Sequence, residues 1–248
     1  HRDLHSFPTR RSSDLVFPLL WNSPTGEIYR GYREDGYFAE AFVNLLALLG
    51  WNPGTEQEIF SMTELCQLFS LERVNKSGAR FDPEKAKWFN SQYLKAKSNQ
   101  ELAGLFLPLL QEKGIETSTE IAAKICGLIK DRAHFLHEFY DLSYYFFEAP
   151  RTYDEAVVKK HWKTDTSQKL KELTNLLQNA PSFTKEELEP AVHEWIHAKE
   201  YGMGQIMNTF RLCIVGKSMG PGMFEIAEII GKAETIRRIE TGIQKINA

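Results

Sequence analysis

Phe38-Ala39-Glu40-Ala41-Phe42-Val43-Asn44-Leu45-Leu46-Ala47-Leu48-Leu49-Gly50 is the stretch whose reading decides the fold class. Phe38, Ala41, Phe42, Leu45, Leu46 and Leu49 recur at spacings of three and four, so a helix gathers them on one face for burial. Glu40 and Asn44 interrupt the apolar run, and Gly50-Trp51-Asn52-Pro53-Gly54 ends it. It stays short of the ~18 apolar residues that span a bilayer. The segment reads as a core helix.

Outward from it the punctuation stays helical. Five pairs have the form of a capping box, a hydroxyl residue followed three positions later by Glu: Ser61/Glu64, Ser98/Glu101, Thr117/Glu120, Thr152/Glu155 and Thr184/Glu187. Asp82-Pro83 supplies a further start, with Asp as cap and Pro at the first helical position. Stops stand at Gly50, Gly114, Asn179-Ala180-Pro181 and Gly231. Leu170, Leu173, Leu176 and Leu177 repeat the one-sided pattern. Period-two alternation is nearly absent, apart from a short hairpin arm at Gly26-Glu27-Ile28-Tyr29-Arg30. The expected fold is all-α.

Polar, Lys-rich residues from Gln92 to Asn99, and a break at Glu148-Ala149-Pro150-Arg151, suggest the organisation. We expect a front module at 16–97 and a back module at 98–248, the latter in halves of about 98–150 and 151–248. His1 to Leu15 lacks an initiator Met, an apolar signal core and any hydrophobic period. It resembles translated sequencing-adapter sequence, and the expectation is a non-native, disordered segment.

Composition narrows the function only slightly. With 42% hydrophobic and 25% charged residues the chain is of ordinary globular type. A net charge of -3 means that a nucleic-acid binder of this composition must concentrate its positive charge locally. Cys66, Cys126 and Cys213 are too scattered for a disulfide framework or a C-x-x-C pair. They read as reduced thiols of a cytoplasmic protein.

Three motifs carry chemistry on their face. His193-Glu194-Trp195-Ile196-His197 is a literal H-E-x-x-H, which on a helix places two imidazoles for Zn²⁺ and a Glu for water activation. The downstream positions of the extended form hold Glu200 and Met203, and a third ligand would have to be an unmarked acid such as Glu225. A zinc hydrolase is therefore one alternative. Gly216-Lys217-Ser218 resembles the end of a phosphate loop, yet Arg211 stands where its first Gly belongs, so it reads as a turn. Lys124, Lys130 and Arg132 precede an aromatic run from Phe135 to Phe147, and Arg211 precedes the turn Met219-Gly220-Pro221-Gly222-Met223. Arginine beside such platforms suits unpaired RNA bases. Taken singly, the aromatics are ordinary core residues and the arginines ordinary solvated ones, so a helical scaffold without RNA binding is the other alternative.

Three blocks, in order, resemble glutamyl-tRNA synthetases of the bacterial type. Tyr32-Arg33-Glu34-Asp35-Gly36-Tyr37 running into the helix that ends at Gly50-Trp51 looks like the segment after that family's ATP-binding signature loop. Glu72-Arg73-Val74, Phe81-Asp82-Pro83-Glu84-Lys85 and Trp88-Phe89-Asn90 resemble its stem-contact block. Phe210-Arg211-Leu212-Cys213-Ile214-Val215-Gly216, then Gly220-Pro221-Gly222-Met223 and Ile229-Ile230-Gly231-Lys232, resemble its carboxy-terminal block.

The resemblance implies a stem-contact module on the inner corner of tRNA, with Lys85 against the sugar-phosphate backbone, followed by an all-helical anticodon-binding cage. It makes Arg132 the counterpart of the arginine that reads the third anticodon base. Arg211, Gly220, Pro221 and Met223 then correspond to residues holding the anticodon loop. Glutamate anticodons end in C, to whose acceptors a guanidinium can donate, a pairing of about 1–3 kcal/mol of discrimination. The implied partner is tRNA(Glu), with neither DNA nor membrane. ATP and Mg²⁺ serve the full-length enzyme, which attaches glutamate to tRNA. The family's His-Ile-Gly-His and Lys-Met-Ser-Lys type motifs are not found in this sequence, so the expectation is tRNA binding without catalysis and no cofactor in these residues. Val215 stands where the family usually has Thr, which removes a hydroxyl contact there.

Overall fold

The computed structural model describes residues 20–22, 26, 28–75 and 81–246. The expected adapter-like segment at 1–15 lies outside them, as do Val16 and Glu27. Among the described residues the architecture is all-α, with one two-residue pairing in which β1 (Trp21–Asn22) runs antiparallel to β2 (Ile28–Tyr29). The chain divides into two compact units, one of residues 1–106 with 130–139, the other of residues 107–129 with 140–248.

The first unit holds α1 (Ala39–Gly50), α2 (Met62–Leu68) and α3 (Pro83–Ala96). It also takes the front of α4 (Asn99–Glu112). Helix α1 packs on α3 through Leu45, Ala86 and Phe89, with Tyr37, Phe42 and Phe81 against them. The buried face of α1 is rotated from the expected one: Leu46 is exposed, whereas Asn44 is fully buried. The reason is hydrogen bonding. Asn44 Oδ1 accepts from Phe60 N–H at 2.7 Å and from the Tyr93 hydroxyl at 2.7 Å, and its Nδ2 donates to the Glu58 carbonyl. An amide so satisfied is buried at little cost and anchors the loop before α2. Gly50 is the last helical residue and carries no positive φ, so the chain leaves α1 through extended Trp51, not through a left-handed glycine.

In the second unit α5 (Thr119–Ile129), α6 (Phe139–Ser143, entered from the first unit), α7 (Glu155–His161) and α8 (Thr166–Gln178) are followed by four more helices. These are α9 (Lys185–Ala198), α10 (Met203–Val215), α11 (Met223–Ile230) and α12 (Lys232–Ile246). Helix α10 is the hub, packing against α7, α8, α9 and α12 and burying an unbroken run from Leu212 to Val215. Helix α12 comes close enough that a Cβ on Gly242 would stand 2.6 Å from Cys213 Sγ. Leu170, Leu173 and Leu177 form the inner face of α8, as their spacing predicts.

The caps divide. Ser61/Glu64 and Ser98/Glu101 form reciprocal boxes, and Asp82 accepts from the amides of Glu84 and Lys85. The other three expected boxes are replaced. Ser118, one residue after Thr117, accepts from Ile121 N–H. Asp154, not Thr152, caps α7, because its carboxylate is the stronger acceptor and lies nearer the amides of Ala156 and Val157. At α9, Thr184 makes no side-chain cap; the Lys185 N–H instead donates to Glu228 Oε2 of α11 at 2.9 Å.

Candidate functional site

In the first unit the two sequence-selected cations sit on exposed ground. Asp82 caps α3, and Pro83 removes an amide that would have no acceptor there, which places Lys85 in the first helical turn. Its ammonium is 2.7 Å from Glu58 Oε1, both side chains nearly half exposed, and lies 5.7 Å from the Phe89 ring centroid. Such a surface pair is worth at most about 1 kcal/mol, so a phosphate can displace Glu58. Arg132 lies on the 3-10 turn Lys130–Arg132 that follows α5. It is exposed, and its guanidinium has no hydrogen bond or ion pair among the described residues. The turn is braced on α3: Asn90 Nδ2 donates to the His134 carbonyl at 2.6 Å, and Lys130 Nζ to the Lys97 carbonyl at 3.1 Å.

The second unit carries the turn between α10 and α11. Helix α10 ends on Gly216 at φ +81°, a left-handed cap, and the chain turns through Lys217–Gly222. Arg211, one turn before the helix end, donates from Nη1 to the Pro221 carbonyl at 2.8 Å. The Tyr145 ring borders the same loop, for a Cβ on Gly220 would meet Arg211 Nη1 at 3.3 Å and the Tyr145 hydroxyl at 3.7 Å. Pro221 and Met223 are buried, so Met223 serves as the first core residue of α11. Met219, 80% exposed, is the apolar side chain the turn presents outward, although the family resemblance selected Met223 and not Met219.

Charges frame the turn. Glu225 folds back over Gly222, where a Cβ would collide with its carboxylate, and pairs with Lys185 at 2.6 Å. Burial works most strongly against its charged form, but the Lys185 hydrogen bond and charge, a backbone hydrogen bond and the Arg211 charge together hold the carboxyl below the usual range. At the start of the turn, Tyr144, Arg151 and Lys217 line an open cleft of about 470 Å³, with Lys217 Nζ 5.2 Å from the Tyr144 ring centroid.

The H-E-x-x-H residues take other partners. His193 packs edge-on to Phe224 with centroids 6.0 Å apart, and His197 and Glu194 face outward on α9. Glu225, the acid considered as a third ligand, is engaged by Lys185. Among the described residues no three His, Cys, Asp or Glu side chains gather as a metal would require. Cys126 and Cys213 are buried and Cys66 is exposed. No described helix is long and apolar enough to cross a membrane.

Known proteins resemble this chain in sequence and in fold. Residues 101–243 match the family described as anticodon binding domain. Residues 27–88 match tRNA synthetases class I (E and Q), catalytic domain, so that description reaches into the stretch read above as a stem-contact module. The chain is 50% identical over 230 residues to a glutamate–tRNA ligase of Porphyromonas gingivalis, covering 92% of this chain and 46% of that protein. It is 50% identical over 231 residues to the glutamate–tRNA ligase of Flavobacterium johnsoniae, covering 93% and 46%. A crystal structure of a glutamate tRNA ligase from Elizabethkingia meningosepticum, in complex with its amino acid, superimposes with a TM-score of 0.90 at 43% identity, over 93% of this chain and 46% of that one. The chain thus spans about half the length of the relatives it matches. Over that span it is similar to glutamate–tRNA ligases, and through residues 101–243 it belongs to the family described as anticodon binding domain.

Proposed function

We propose that this chain provides the tRNA grip of an enzyme that attaches glutamate to tRNA, and that its partner is tRNA(Glu). The observation that carries the reading is the match of 101–243 to an anticodon binding domain, within which the α10–α11 turn is held from inside by Arg211. Two kinds of surface divide the work. Lys85, exchangeable from Glu58, meets the sugar-phosphate backbone, a sequence-independent and salt-sensitive contact. Arg132, exposed and uncommitted, reads the third anticodon base. The Gly220–Met223 turn, with Met219 outward and Arg211 behind it, supports the anticodon loop. Lys217 beside Tyr144 adds a cation and a ring face to the same side of the second unit, where Arg151 is paired with Glu148. Ligation in the whole enzyme draws on ATP and Mg²⁺, and no step through either is assigned to the residues described here. A location in the cytoplasm follows from the role in translation.

A fluorescence-anisotropy titration tests this, using tRNA(Glu) and the same tRNA with its third anticodon base changed, at two salt concentrations. Wild type should prefer the unaltered tRNA and weaken steeply with salt. Arg132→Ala should bind both tRNAs alike, losing about 1–3 kcal/mol of discrimination. If Arg132→Ala still discriminates as wild type does, the base-reading assignment is wrong.

A further inference from the structure

Arg238 is a buried arginine, at 2% exposure, on a helix whose other inward residues are Thr235, Ile239, Gly242 and Ile243. Its guanidinium is held through two of its nitrogens. Nε donates to Glu234 Oε1 at 2.6 Å, and Nη1 donates both to the Tyr145 carbonyl at 2.5 Å and to the Ile214 carbonyl at 3.0 Å. The last two acceptors are 93 and 24 residues away in sequence.

A buried cation is a costly way to fill space. Replacing such a group by an apolar side chain of similar volume is often neutral or stabilising, so burial alone does not account for an arginine here. What the arginine adds is direction, since a planar fork with fixed donors holds two carbonyls in one relative placement. Those carbonyls belong to the two segments that frame the α10–α11 turn. Ile214 lies two residues before Gly216, where α10 ends and the turn begins. Tyr145 presents its ring to Gly220, and its hydroxyl is itself held by the Leu142 carbonyl at 2.6 Å. Within the same turn Arg211 holds the Pro221 carbonyl.

We propose that Arg238, steadied by Glu234, is a positioning residue for anticodon recognition: by clamping the Tyr145 and Ile214 carbonyls it sets the height and tilt of the Met219–Met223 turn, without itself touching RNA. This rests on the tRNA-binding reading above and names a residue of α12 that the family resemblance did not single out.

The test uses the whole 248-residue chain as Arg238→Met, Arg238→Lys and wild type. Methionine keeps most of the packing volume and removes every directed donor. Lysine keeps one charge and can reach one carbonyl. Each protein carries ¹³C-methyl methionine, and each is titrated with tRNA(Glu) and with its anticodon-altered counterpart. In R238M the Met219 and Met223 methyl resonances should move while those of Met62 and Met203 stay in place. The preference for the unaltered tRNA should fall about tenfold, with affinity for the altered tRNA unchanged, and R238K should recover part of that preference. A folded R238M with unmoved Met219 and Met223 signals, or with wild-type preference, overturns the proposal and leaves Arg238 a packing residue. Should R238M fail to fold, R238K decides: wild-type preference in it would likewise overturn the assignment. Wild-type protein showing no preference between the tRNAs would overturn the underlying tRNA reading instead, which the methyl shifts do not depend on.

Discussion

Arg211 donates from Nη1 to the carbonyl oxygen of Pro221 at 2.8 Å, so this arginine holds the α10–α11 turn from within. It is half-buried, with the Glu225 carboxylate near enough to feel its charge. Arg211→Met should leave the Pro221 carbonyl without this donor, at a cost of about 1–3 kcal/mol in urea unfolding. Affinity for tRNA should fall more than that stability loss accounts for, because the turn loses its geometry. Wild-type affinity in a folded R211M protein would show that the turn does not bear on the tRNA.

The Lys85–Glu58 pair gives a second expectation. Glu58→Gln releases the ammonium, and binding should tighten a few-fold for any tRNA. Lys85→Ala should weaken all tRNAs equally and lower the slope of log affinity against log salt by about 1. A change confined to tRNA(Glu) would rule out a backbone contact. The two variants read as a pair, since Glu58→Gln in a Lys85→Ala background should have no effect.

Gly216 is required and Gly50 is not. At φ +81° a Cβ on Gly216 would stand 2.7 Å from the Thr152 carbonyl and 2.8 Å from Pro150 Cβ. Gly216→Ala therefore combines left-handed strain with a clash against backbone, and should cost about 2–4 kcal/mol. Gly50 ends α1 with nothing within 4 Å of a would-be Cβ. Gly50→Ala should be neutral or stabilise by up to about 1 kcal/mol. Equal effects of the two in denaturant melts would contradict the assigned backbone.

Acid should loosen the second unit through Glu225 and Glu234. Glu234 is held below the ordinary carboxylate range chiefly by the Arg237 guanidinium, with Arg238 adding to it, and Glu225 by Lys185 against the opposing effect of its burial. A carboxyl whose folded pKa is depressed contributes stability above its unfolded value of about 4.3 and loses it as pH falls through the folded value. The melting temperature should therefore drop as pH is lowered from ~5 to ~3, and Glu225→Gln should flatten that part of the profile. An unchanged profile in E225Q would remove Glu225 from the acid response.

The three thiols should report burial directly. Cys66 is exposed, Cys126 is buried, and burial pushes the Cys213 thiol well above its ordinary range. A thiol reagent should label one cysteine in the native protein and three in denaturant. Rapid native labelling of Cys213 would mean that α10 and α12 separate in solution, exposing the face where Gly242 meets it.

Sequence alone was enough for the helices, because helical spacing and local caps are properties of neighbouring residues. The Ser61 and Ser98 boxes and the Asp82-Pro83 start stand where the sequence places them, each closed by a partner three residues or fewer away. The ordered blocks around Gly50-Trp51, Phe81–Lys85 and Gly220–Met223 were equally legible as a family pattern. The caps that failed had a competitor the local pattern did not weigh: Asp154 at α7, and at α9 the distant Glu228.

Tertiary structure decided everything that depends on residues far apart in the chain. Asn44 looked like an interruption on α1, and it is buried because Phe60, Tyr93 and Glu58 converge on its amide. Met223 and Met219 bracket one apolar turn in the sequence, and only the fold shows that Met223 is buried while Met219 points outward. His193 and His197 have metal spacing along the helix, but a third ligand must come from elsewhere in the fold, and Glu225 is spoken for by Lys185. Arg238 gave no signal at all, since one arginine among the cations of α12 reads as a solvated side chain until the fold brings the Tyr145 and Ile214 carbonyls to it. Periodicity tells which residues turn inward; only the packed chain says what each one meets there.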